Sequence, residues 1–181
     1  MAETKRKQPQ EVLDDGAFQG WNAPYNTGMP PTARLNMNEN IIKSIKDAYV
    51  SLDNPNWSFT SVRLAQGLHG KFIKQLSDIS SVSENTDLNN DCSRCLNVEL
   101  DGETIGIRVS LVGNFACAHN DKGFFYSEIE LQNFRLGRFI LEMLKLYHIE
   151  LLKEESLREE IEFGGELQNV YSILFSSDEL L

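Results

Sequence analysis

The stretch from Leu96 to Leu131 decides the fold; it reads LNVELDGETIGIRVSLVGNFACAHNDKGFFYSEIEL. Hydrophobic and polar residues alternate through most of it, which is typical of β-strands with one buried face. Asp101-Gly102 is a strong two-residue hairpin signal, and Gly113-Asn114 and Asp121-Lys122 mark two further turns. The pattern therefore predicts four short strands in an antiparallel meander, the last of them ending at Leu131.

The hydrophobic pattern changes to a helical period directly after this stretch. Leu136, Ile140 and Leu144 are four residues apart and therefore share one face of a helix, wide enough with its neighbours to cover a sheet. We expect one long helix over residues 132–162, ended by Gly164-Gly165.

Two further helices are predicted before the sheet. Ile41, Ile45 and Leu52 belong to one apolar stripe. A second helix is expected from about Ser61 to Leu76, with a strand over residues 57–64 as the alternative. The polar residues 77–91 read as a loop. The fold class is thus α+β: a four-stranded antiparallel meander packed against a long C-terminal helix, with two N-terminal helices.

The chain divides into three parts by composition. Prolines and glycines without a hydrophobic period over residues 1–37 predict an extended or disordered arm. Residues 38–175 hold the predicted elements and are expected to form one α+β domain. Residues 176–181 are a short acidic tail.

Charge and cysteine content narrow the class of protein. The net charge is −10, and residues 78–181 carry 20 acidic and 8 basic side chains, which disfavours duplex DNA and anionic membranes as partners of that half. No apolar run approaches the ~20 residues that cross a bilayer, and the N-terminus has no secretory pattern. Three cysteines are an odd number for a disulfide framework, which indicates a reducing compartment. We therefore expect a cytoplasmic location.

A Cys₃His set, the ligand type of many zinc sites, is the most conspicuous local motif: Cys92, Cys95, Cys117 and His119. The predicted hairpins pair Cys95 with Arg108 and Arg108 with His119. Two strand spacings then separate the outer residues by ~10 Å, with a guanidinium between them. This arrangement disfavours zinc, so no cofactor is predicted, and ordinary half-buried thiols are the preferred interpretation.

The same register predicts a second face of the sheet that carries aromatic and basic residues. Its binding candidates are Arg108, Phe115, His119, Phe124 and Tyr126. Such a surface could stack and neutralise single-stranded nucleic acid. The alternative, which we prefer, is that the N-terminal helices cover this face as a second core layer.

No catalytic motif is present: the sequence has no nucleophile elbow, no phosphate-binding glycine loop and no metalloprotease helix, so no enzyme is predicted. We recognise no known family in these residues. The charged end of the long helix carries a candidate partner-binding set: Glu154, Glu155, Glu159, Glu160 and Glu162. We expect a non-enzymatic protein-interaction module, such as a small acidic inhibitor or an accessory subunit that binds a basic protein. The alternative is a single-stranded nucleic-acid-binding protein whose acidic C-terminal segment recruits proteins.

Overall fold

The computed structural model describes residues 39–176. The predicted arm 1–37 and the tail beyond Ser176 lie outside the described residues. The fold is α+β, with a mixed five-stranded sheet, a separate two-stranded sheet and several helices. In chain order its elements are α1 (Glu39–Tyr49), α2 (Phe59–Ala65), α3 (Gly70–Ser77), β1 (Ser81–Glu84), β2 (Ser93–Leu100), β3 (Glu103–Ser110), β4 (Phe115–His119), α4 (Glu128–Gln132), α5 (Arg135–Leu146), β5 (Glu150–Leu151), α6 (Glu154–Leu157), β6 (Glu160–Phe163), β7 (Glu166–Asn169) and α7 (Val170–Leu174).

The β2–β3 hairpin has the predicted register. Leu100 pairs with Glu103, and Cys95 pairs with Arg108. Asp101 and Gly102 have φ values of 52° and 83°, the left-handed pair that a two-residue hairpin with the twist of its strands requires. This part of the sheet prediction is confirmed.

The four-stranded meander is wrong at both edges of the sheet. The strand order is β1-β2-β3-β4-β5, in which β1 comes from the predicted loop 77–91 and the short β5 runs parallel to β4. The predicted last strand contributes only a bridge between His119 and Phe125. Ser127 then caps α4, and its partner in the capping box is Glu130. A capping box satisfies two free amides at a helix start, so the chain turns into a helix where a strand was expected.

The long helix 132–162 is also wrong. α5 ends at Leu146, and His148 follows with a left-handed φ of 54°, which stops the helix. Gly164 and Gly165 are not a helix end but the two-residue turn between β6 and β7, with φ values of 66° and 84°. The second predicted helix is likewise divided into α2 and α3, where Gly67 has a φ of 71°.

Two hydrophobic clusters hold the helices on opposite sides of the main sheet. On the first face, α3 and α5 pack against strand residues such as Val98 and Ile107. On the second face, α1 and α7 pack with the β6–β7 hairpin against residues such as Phe115 and Cys117. Within residues 39–176, no helix is both long enough and apolar enough to cross a membrane.

Candidate functional site

The second face of the main sheet is divided into a covered half and an open half. In the covered half, Ser93, Ser110 and Cys117 are fully buried. In the open half, Cys95, Arg108 and His119 are only partly buried. Because strand side chains alternate between faces, all of these residues point away from α3 and α5. The prediction that the N-terminal helices cover this face holds only for α1, which shares the covered half with α7, whereas α3 packs on the opposite face.

Buried hydroxyl groups fix α7 over the covered half. The Tyr49 hydroxyl donates to the Ile173 carbonyl at 2.6 Å, and Ser110 Oγ donates to the Leu174 carbonyl at 2.7 Å. Ser93 Oγ donates to the Phe175 carbonyl at 2.9 Å. A helix leaves its last carbonyls without partners, so these three hydroxyls complete the C-terminal end of α7 inside the core.

A polar cavity of about 300 Å³ occupies the open half. Its floor is formed by strand residues, and its wall by the loop between β1 and β2. The residues that line it are Asn85, Asp87, Asn90, Asp91, Cys95, Leu96, Asn97, Arg108 and His119. Only Leu96 among them is apolar, so the cavity offers hydrogen bonds rather than a hydrophobic surface.

Arg108 is the central cation of the cavity. Its Nη1 donates to Asp91 Oδ1 at 2.8 Å and to the Sγ atom of Cys95 at 2.9 Å. Its guanidinium carbon lies 6.0 Å from the ring centre of Tyr171. Burial alone would lower the pKa of Arg108, but the surrounding Cys95, Tyr171 and Asp91 raise it overall, so the side chain stays charged.

His119 lies beside Arg108 with its ring over Gly106. A Cβ atom placed on Gly106 would overlap the His119 ring, so only glycine leaves room for this position. His119 Nδ1 lies 3.0 Å from the Asn120 carbonyl, which can only accept; Nδ1 therefore carries the proton of the neutral ring. Burial, together with the Arg108 charge, lowers the pKa of His119 and keeps the ring neutral.

The structure does not bring the predicted aromatic and basic residues together. Phe115 is buried under α1 and α7, and Tyr126 packs against Phe134 beside the first cluster. Phe124 is 66% exposed on the turn after β4. The reason is a shift of one residue: His119 bridges Phe125 rather than Phe124, and such a shift exchanges the two faces of a strand.

The four residues of the proposed zinc set are also divided. Cys92 is buried in the covered half, 3.3 Å from the Tyr49 hydroxyl, whereas Cys95 contacts Arg108. Arg108 pairs with Cys117 rather than with His119, because the loop between β3 and β4 is longer than two residues. All three cysteines are free, and burial raises the pKa of Cys92 to about 11 and that of Cys95 to about 12. Across residues 39–176, no three His, Cys, Asp or Glu side chains are arranged to hold a metal ion.

The predicted acidic residues lie on α6, on the β6–β7 hairpin and, for Glu159, on the link between them rather than on one helix. Glu154, Glu155, Glu160 and Glu162 are exposed, and Glu159 is partly buried. Glu162 pairs across the hairpin with Leu167, which is 66% exposed. Arg158 lies 2.8 Å from Glu154, an exposed pair that leaves the other carboxylates free of an ion-pair partner among the described residues. We call Glu160, Glu162 and Leu167 the hairpin face.

Sequence reasoning missed the loop wall of the cavity and the role of Gly106. Asp91 is the clearest omission, because it pairs with Arg108 across 17 residues. A glycine inside a strand pattern is a signal for the close approach of another group, and Gly106 carries that signal. Comparison of the chain with models of protein families, with curated proteins and with solved structures found no match.

Proposed function

We propose that this protein is a non-enzymatic protein-interaction module that binds a basic protein partner through the hairpin face and the adjoining acidic residues of α6. A small inhibitor or an accessory subunit is the kind of role that fits. A cytoplasmic location, where free thiols stay reduced, belongs to the same proposal.

The observation that supports it best is the excess of acidic side chains over residues 150–166, several of them exposed. Residues 150–166 contain seven glutamates against one lysine and one arginine. The hairpin holds Glu160 and Glu162 on one side of a strand, since Ile161 and Phe163 point inward to the second cluster. Fixed carboxylates next to the exposed Leu167 offer a basic partner both charge complementarity and an apolar contact.

The nucleic-acid alternative has less support. The aromatic rings it needs are divided between a core, a turn and the opposite face, and Arg108 is already paired with Asp91. We expect a labelled single-stranded oligonucleotide to show no binding at micromolar protein and low salt. Binding that is lost in Phe124→Ala or Tyr126→Ala would reverse this preference.

The experiment that tests the proposal is quantitative capture of proteins from a native lysate by the full chain. The test variant carries Glu160→Lys and Glu162→Lys on the hairpin face. The matched control carries Glu99→Lys and Glu142→Lys, which reverse the same number of exposed carboxylates on β2 and α5. We expect the wild type and the control to recover one basic protein in stoichiometric amounts, and the test variant to recover about tenfold less of it.

The salt dependence of the recovery is a second test in the same experiment. Recovery of the basic protein should fall as the salt concentration rises, because exposed charges are screened beyond about 10 Å at 0.1 M. Failure to recover any stoichiometric protein, or an equal loss in both double variants, would contradict the proposal.

A further inference from the structure

We propose that the polar cavity is a binding site for a small uncharged ligand that carries a carboxamide group. In this arrangement the carbonyl oxygen of the amide accepts from Arg108, and its N–H donates to Nε2 of His119. The site is separate from the hairpin face, so the inference does not depend on the proposed function.

The donor side of the site is the free edge of Arg108. The guanidinium donates two hydrogen bonds to described residues, and both come from Nη1. Nε and Nη2 therefore have no hydrogen-bond partner among the described residues. Across the described residues, no buried side-chain nitrogen or oxygen atom lacks a partner. The unpartnered nitrogens are therefore in contact with solvent, and the cavity is the space that Arg108 lines. A fixed guanidinium edge of this kind selects an acceptor oxygen.

The acceptor side is Nε2 of His119. Nδ1 is committed to the Asn120 carbonyl as a donor, so the neutral ring presents a lone pair at Nε2, which has no hydrogen-bond partner among residues 39–176. By the same reasoning Nε2 is not buried. The ring lies over Gly106, and Arg108 is its diagonal neighbour on the same face, because Arg108 pairs with Cys117 and His119 is two residues further along β4. A ligand that meets both groups must offer an acceptor and a donor side by side, as a planar amide does.

The charges around the cavity favour a neutral ligand over either ion. Asp91 already neutralises Arg108. The carboxylate oxygens of Asp87 accept hydrogen bonds from Asn89 and Asn90 within the same loop. An anion would meet the remaining negative charge of Asp87. A cation would meet the guanidinium and would find no carboxylate free of these contacts.

Three molecules of the same shape and different charge test this inference directly. Butyramide, butyrate and butyramidinium are titrated into the isotope-labelled full chain, and the amide shifts of the cavity residues are followed by NMR. Ligands of this size in an open cavity bind in about the millimolar range. We expect butyramide to shift the cavity residues, with an affinity at least about fivefold above that of either ion, which is about the effect of one unit charge at about 4 Å in water.

Two variants and a control complete the experiment. His119→Phe keeps a ring but removes the lone pair, and Gly106→Ala displaces the ring without removing it; each should weaken butyramide binding about tenfold. Glu142→Gln on α5 is the control and should leave binding unchanged. Tighter binding of butyrate or butyramidinium, or equal binding of butyramide to wild type and His119→Phe, would overturn the inference. The absence of chemical-shift changes in the cavity residues at butyramide concentrations up to about 50 mM would also overturn it. Loss of the hairpin-face partner leaves this result untouched, so the two proposals fail separately.

Discussion

The covered and open halves of the second sheet face use polar residues in opposite ways. In the covered half, Ser93 and Ser110 are completely buried, and their hydroxyls serve the carbonyls of α7. In the open half, Arg108 and His119 keep nitrogen atoms that no described residue satisfies. The same strands thus supply both kinds of polar residue. Which kind a residue becomes depends on whether an element with unpaired backbone groups packs over it. Polar residues in a sheet are structural where they complete a helix end, and available to a ligand where nothing does.

Among the substitutions that test this comparison, Arg108→Ala is expected to have the largest effect on stability. Asp91 is 6% exposed and would be left as an unpaired buried carboxylate, so we expect the free energy of unfolding to fall by about 3 kcal/mol. Urea denaturation measures it. Arg158→Ala, which breaks an exposed pair with Glu154, is the matched control and should cost less than about 1 kcal/mol. Equal effects of the two variants would show that the cavity pair is not held in the protein interior.

A smaller loss is expected from Gly106→Ala. The new methyl group overlaps the His119 ring, which must move, and overpacking of this kind costs about 1–3 kcal/mol. Gly70→Ala is a suitable control, because nothing lies near its added Cβ atom and its φ is not left-handed. Thermal unfolding compares the two. An unchanged midpoint in Gly106→Ala would mean that His119 does not rest on this glycine.

Tyr49→Phe tests the covered half alone. It removes the hydroxyl that donates to Ile173 but keeps the ring among Trp57, Phe59 and Phe163. A buried carbonyl loses its partner, so the free energy of unfolding should fall by about 1–2 kcal/mol. Butyramide binding in the open half should not change. A change in that binding would show that the two halves are coupled.

The smallest effect is a pH dependence of stability that arises in the open half. Burial lowers the pKa of His119 below its unfolded value, so the unfolded chain binds the proton more tightly. Stability is therefore present above pH ~6.5 and falls as the pH drops below this value toward the folded pKa. His119→Phe should remove part of this fall in urea denaturation between pH 7 and 5, and the remainder includes His69, whose pKa burial also lowers. A steeper fall in the variant would contradict this assignment.

The sequence was sufficient where local chemistry alone decides the structure. Asp101-Gly102 determined the β2–β3 register, and with it the pairing of Cys95 with Arg108. It was insufficient where two local signals compete. Gly164-Gly165 can end a helix or turn a hairpin, and the helical spacing before it favoured the wrong choice. The hairpin formed because Phe163 and Ile161 bury one side of β6 against the second cluster, a tertiary contact that spacing does not reveal.

The candidate site was predictable only in part, for a similar reason. Alternation placed Arg108 and His119 on the same face, which is correct. Their neighbours depend on loops: one residue more or less in a turn exchanges Phe124 for Phe125, and the wall of the cavity comes from a loop that carries no period. Gly106 and Asp91 can each be noted in the sequence, but no local pattern shows that they belong to the same site.

The hydrogen bond between Tyr49 and Ile173 has a consequence for how the protein is made. It joins residues 124 positions apart, so the second cluster closes only after nearly all of the described chain has left the ribosome. The β2–β3 hairpin, by contrast, pairs neighbours and can form during synthesis. Until α7 arrives, the buried side of the sheet near Phe115 is exposed, and this interval is when a nascent chain most needs protection from aggregation.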